Sequence, residues 1–190
     1  DLYRNMSITY ASWVLYHAIL HTYMEEIIFK FALIFQASSI ALGVGSSTLA
    51  ISSFLTALYD DKIDEGERRM LGVIYVSLRV AMVGIVLTTA ALYFIDPVFF
   101  GEFGTYMWLL IGVLFANAVA MTKHWISPKY GPAIQAGTWY TLGFMATIHM
   151  FSLFEVGWSG FFALYAGDVL FAYVVVNGYL WWRKRAKKLQ

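Results

Sequence analysis

The sequence predicts an all-α, polytopic integral membrane protein, a bundle of about six transmembrane helices. Three observations predict it. Hydrophobic residues make up 60% of the 190-residue chain and charged residues only 13%, where a soluble domain carries about 25% charged residues. The apolar residues are gathered into runs long enough to cross a hydrocarbon core of ~30 Å, which takes about 20 residues of helix. Aromatics reach 18%, with 7 Trp and 13 Tyr, and such rings concentrate where lipid meets water.

Residues 5–24 carry no charge and are just long enough to span. Residues 31–59 are again uncharged and exceed a perpendicular crossing, so this second span is expected to tilt, bend or protrude, with Gly43 and Gly45 as places for a bend. Residues 60–69 read as a loop that ends in a helix start: Asp64 is placed to cap the next turn and Glu67, three residues on, completes a capping box. A calcium loop is excluded there, because Glu65 stands where its sharp turn requires Gly. Residues 70–95 form the third span, interrupted by Arg79. Asp96 and Pro97 open a turn that runs to Gly104, and residues 105–122 form the fourth span. A polar loop follows, and Pro132 suits the first turn of the fifth span, residues 133–154. A tight turn at 155–160 leads to the sixth span, residues 161–182, and to a basic tail at 183–190. No repeat or linker divides the chain, so residues 1–190 are read as one transmembrane domain.

Charge distribution orients the bundle. Loops rich in Lys and Arg stay cytoplasmic. With six spans, Arg4, Lys62, Arg68, Arg69, Lys123, Lys129 and the C-terminal Arg183, Lys184, Arg185, Lys187 and Lys188 share one side, against Lys30 alone on the other. Both termini are then expected in the cytoplasm. If residues 5–24 lie along the interface instead, five spans remain and the C-terminus is still cytoplasmic. The tail after Trp181 and Trp182 reads as an interfacial anchor that attracts anionic headgroups.

Composition also excludes chemistry. A net charge of +1 gives no overall basic bias toward nucleic acid. With no cysteine, disulfides, thiolate metal sites and cysteine nucleophiles are ruled out. Gly43-Val44-Gly45 lies inside an apolar run, which does not fit a phosphate-cradling loop.

What remains is a small set of polar residues inside apolar helices, and intramembrane ionisable groups mark function by default. His17, His21 and Glu25 are spaced four apart and share one helical face. In the six-span topology, His21, Gln36 and His149 fall at similar depths in the outer leaflet. His21 and His149 are therefore candidate axial ligands of a b-type haem, with Ser38, Ser39, Gly43, Gly45, Ser46 and Ser47 leaving room for a flat ring. A single transition metal held by His17, His21, His149 and Glu25 is the alternative. Arg79 and Asp168 are candidates for an ion pair or a transport pathway, with Asn117 adding a hydrogen bond, and Arg79 is also suited to an anionic cofactor group. The leading expectation is a small membrane-embedded redox or metal-binding protein, most concretely a b-type cytochrome-like electron carrier served by a quinone. A transporter or channel running through Arg79 and Asp168 is the second, and a non-catalytic subunit that packs on other membrane subunits is the third.

Overall fold

A computed structural model describes the backbone of residues 2–60, 64–126 and 130–189, with side chains for residues 23–53, 55, 64–98, 101–126, 130–179, 181–182 and 185. The described residues form five α-helices: α1 (Leu2–Asp60), α2 (Glu65–Ile95), α3 (Pro97–Thr122), α4 (Gly131–Met150) and α5 (Trp158–Leu189). Four stretches are long and apolar enough to cross a membrane: Tyr23–Ser53, Glu65–Ile95, Gly101–Thr122 and Trp158–Tyr179. The chain is thus a helical membrane protein, and the count of about six spans is not confirmed.

The main departure lies at the start. The two spans expected at 5–24 and 31–59 belong to one continuous helix of 59 residues. No Gly or Pro occurs before Gly43, so nothing in the backbone breaks the helix. The charged residues expected to form a turn fit a helical surface instead, with Lys30 Nζ 2.6 Å from Glu26 Oε1 one turn away. As a result α1 enters from the side of the bundle that holds Asp96 and ends beside Asp64, and α5 also runs toward the end that holds Asp64. The even number of crossings that placed both termini on one side is therefore not supported by the element order.

The start of α2 follows the expected capping box. Asp64 Oδ1 accepts from the Glu67 amide at 2.6 Å, and Glu67 Oε2 accepts from the Asp64 amide at 3.1 Å. The turn expected at 96–104 is mostly helical. Pro97 begins a short helical turn, and Gly101, with φ at 31°, redirects the chain into the long part of α3. The basic tail expected to follow the last span continues α5 to Leu189.

The helices pack as a ring with one addition. α1 packs most extensively on α2, α2 on α3, α3 on α4, and α4 back on α1; α5 lies against α4 and, less extensively, α1. Ile85, Leu92, Met107, Leu114, Trp139 and Leu142 are fully buried at the centre. A smaller apolar cluster of Ile51, Ala133, Ala136, Ala172 and Val176 joins α1, α4 and α5. α4 falls outside the four candidate spans, yet about half of it is buried, including Trp139 and the Thr138 and Thr141 side chains. Its surroundings are neighbouring helices, and this is why it tolerates polar residues.

Close approach shapes two of these contacts. The indole of Trp139 lies flat on α1 at Gly43, where any Cβ would collide with it, and Ser39 occupies the space beside Gly84 between α1 and α2. The small residues expected to leave a slot for a planar cofactor are thus used at these positions for helix packing.

Candidate functional site

At the Asp96 end, the first turns of the long part of α3, the last turns of α4 and the loop to α5 enclose an open cavity of about 770 Å³. Glu102, Phe103, Tyr106, Met145, His149 and Glu155 contribute to its wall. The volume is within the ~300–1,000 Å³ of small-molecule sites.

Local structure explains each wall. Gly101 turns α3 so that Glu102, Phe103 and Tyr106 follow within its first turns. His149 stands in the last turn of α4 and stacks on Phe103, with centroids 4.0 Å apart and planes 7° from parallel. The chain leaves α4 through Ser152, whose φ of 47° is left-handed and strained for a residue with a side chain. Tyr106 fastens the following loop to α3. Its hydroxyl donates to the Val156 carbonyl at 3.1 Å, and its ring stacks on Phe161 of α5 at 4.6 Å. Glu102 Oε2 is 3.5 Å from the same hydroxyl.

Below the cavity α4 carries a polar seam. His149, Met145 and Thr141 are spaced four apart and lie one above the other on α4. Thr141 Oγ1, one turn beneath the cavity-lining Met145, donates to Asp168 Oδ2 of α5 at 2.8 Å. Thr138 pairs with the Tyr165 hydroxyl at 3.4 Å, and Gln135 Oε1 accepts from Asn117 Nδ2 at 3.0 Å. Asn117 also donates to the Gly131 carbonyl at 3.0 Å, so it joins α3 to α4 near the Asp64 end. On the α1 side, Tyr140 meets Thr48 at 2.9 Å. Each of the three helices around α4 is therefore tied to it by a side-chain hydrogen bond. Asp168 can sit so close because Gly137 lets the α5 backbone approach at Val169.

The residues expected from sequence separate into different places. The side chains of His17 and His21 lie outside the described residues, as do those of Arg4, Lys62, Lys129, Arg183, Lys184, Lys187 and Lys188. A matched depth for His21 and His149 requires a chain reversal near residues 25–30, and α1 is continuous there. Glu25 is exposed near the end of the α1 span. Gln36 is buried between α1 and α2, where Nε2 donates to Thr89 Oγ1 at 3.3 Å, while His149 faces α3. Among the described residues, no group of three His, Asp or Glu side chains is arranged to hold a metal.

Arg79 and Asp168 are also apart. Both are near the midpoints of their spans, but α2 packs on α1 and α3 whereas α5 packs on α4 and α1. Arg79 is exposed among Tyr75, Val76 and Val83, and among the described residues it forms no ion pair. Asn117 bonds to α4 instead of supporting Arg79.

Sequence reasoning did not single out Thr138, Thr141, Glu102 or Tyr106. The signal for the threonines was available: Thr138 and Thr141 stand one turn apart in a run that also carries Gln135 and His149, a polar content that suits a helix covered by protein. No family model, no curated protein and no solved structure matches this chain.

Proposed function

We propose that the protein carries protons or small cations across the membrane, with Asp168 as the intramembrane exchange site and the end cavity as its approach from one side. The observation that carries this reading is the Thr141–Asp168 hydrogen bond, one turn beneath the cavity floor. A carboxyl group inside a span is costly and is retained where it serves a pathway. Glu102 and Glu155 at the cavity wall attract cations and exclude anions. On the other half of the bundle, Ser47 Oγ, Ser53 Oγ, Asn117 Oδ1 and Trp139 Nε1 are buried without a hydrogen-bond partner among the described residues. Polar atoms so placed are suited to ordered water, which continues a proton path where side chains stop.

The test is flux. Purified protein is placed in liposomes that hold a pH-sensitive dye, and a pH gradient is imposed with the membrane potential clamped. The wild type should dissipate the gradient, and Asp168→Asn, which preserves shape and removes the ionisable group, should slow it at least tenfold. Equal rates for the two proteins, or a wild type no faster than empty liposomes, would overturn the proposal.

A second reading rests on His149. An imidazole in the wall of a cavity this large could serve as one axial ligand of a b-type haem that exchanges electrons with a quinone. The absorption spectrum and metal content of the protein, purified without added cofactor, decide it. A colourless, metal-free protein that is correctly folded eliminates the redox reading and leaves the transport reading intact.

A further inference from the structure

We infer that Arg79 of a neighbouring copy of this chain pairs with Asp168, so that the exchange site is completed only in an oligomer. The inference rests on the reading of Asp168 as an intramembrane functional group. Both residues are near the middle of apolar spans, so they occupy matching depths in one bilayer. They carry opposite charge, and within one chain the helices that hold them are not extensively packed together. A guanidinium in the centre of a span is costly unless it is paired or hydrated. Arg79 points away from its own bundle, where lipid or another protein must cover it. A second copy supplies the missing carboxyl at the right level, and Asp168 is half-buried, with one oxygen taken by Thr141 and the other available.

The flanking surfaces agree with this occupant. Gly160, Ala163 and Gly167 form an exposed row of small residues on α5 that ends beside Asp168, and a Cβ at Gly167 would meet nothing. Such rows let helices approach closely in lipid. Around Arg79, Tyr75, Val76 and Val83 are exposed apolar side chains able to cover it. A long Arg side chain on one helix and a short Asp on a small-residue face of the other make a complementary pair.

The test reads mass and proximity. The protein is extracted with its lipids, and its assembly mass is measured by native mass spectrometry. The wild type should be oligomeric, Arg79→Asp and Asp168→Arg should each be monomeric, and the double exchange should restore the oligomer. The chain has no cysteine, so separately made Val83→Cys and Ala163→Cys proteins, whose positions lie level with each other on the Asp96 side of the pair, mixed in liposomes and treated with a mild oxidant, should form a disulfide-linked pair. A monomeric wild type, single variants with wild-type mass, a double exchange that stays monomeric, or an absent cross-link would each overturn the inference. These measurements are independent of flux. An oligomer that conducts nothing retains the pair and removes the transport proposal; a conducting monomer does the reverse.

Discussion

Gly137→Ala tests whether the seam between α4 and α5 positions Asp168. A Cβ at Gly137 would be 2.6 Å from Val169 Cα and 2.8 Å from Val169 N. These are backbone atoms, so no rotamer change relieves the clash. Restoring ordinary contact near 3.5 Å means that α5 retreats by roughly 1 Å at this crossing. Asp168 is the residue before Val169, and its 2.8 Å bond to Thr141 then lengthens to about 3.8 Å, beyond hydrogen-bond range. Overpacking of this kind costs about 1–3 kcal/mol, and a lost hydrogen bond adds about 1 kcal/mol. Gly143→Ala is the control. It is the same change on the same helix, but its Cβ would be 3.6 Å from Val44 and 3.8 Å from Ile40, ordinary contacts. The helix-propensity gain, ~1 kcal/mol for Gly to Ala, applies to both and cancels in the comparison. Gly137→Ala should therefore be less stable than Gly143→Ala by about 2–4 kcal/mol. Reversible unfolding in lipid bicelles measures the difference, and flux in liposomes should fall in Gly137→Ala alone. Equal stability of the two variants would show that the α4–α5 approach is not as close as described, and the argument for a held Asp168 would lose its basis.

Other predictions follow from single contacts. Trp139→Ala, at a fully buried indole, should destabilise the bundle by about 3–5 kcal/mol in the same unfolding assay. Asp64→Ala removes one half of the capping box and should cost ~1 kcal/mol, with increased amide exchange confined to the first turn of α2. Gln36→Leu leaves Thr89 without its partner and should cost about 1–3 kcal/mol, yet flux should be unchanged because this bond is remote from the α4 seam. Glu102→Gln with Glu155→Gln should weaken the salt dependence of cation flux while leaving the fold intact, as both side chains are exposed at the cavity wall.

The membrane class was legible because lipid imposes long uncharged runs, and most of the helix-forming stretches fell within a few residues of α2 to α5. The capping box was legible because it is local: Asp64 and Glu67 reach each other's amides across one turn. The continuity of α1 was not. Glu25, Glu26 and Lys30 resemble a polar turn in a hydropathy reading, and only the helical i, i+4 pairing of Lys30 with Glu26 shows that they lie along one rod. Asp168 stands deep in a span, as its place in the sequence suggests. Its contact within the chain, Thr141, was not legible, because helix order is set by shape complementarities such as Gly43 with Trp139 that no local pattern encodes. His149 was legible as a residue of interest, and its stacking on Phe103 was not, since the two are brought together by the antiparallel pairing of α3 and α4.

The burial of a polar α4 has a consequence for how the protein is made. Gln135, Thr138, Thr141 and His149 give this helix little affinity of its own for the hydrocarbon phase. As it emerges from the ribosome, α3 is available to it but α5 has yet to be synthesised. Thr138 and Thr141 bond to carbonyls of α4 itself, and the next hairpin arm adds Tyr165 and Asp168 to them, so α4 is held more firmly once that arm arrives. A nascent chain ending at Met150 should leave α4 accessible to aqueous labelling reagents, and extension through Tyr179 should protect it. Damage to α5 should then act first on the placement of α4.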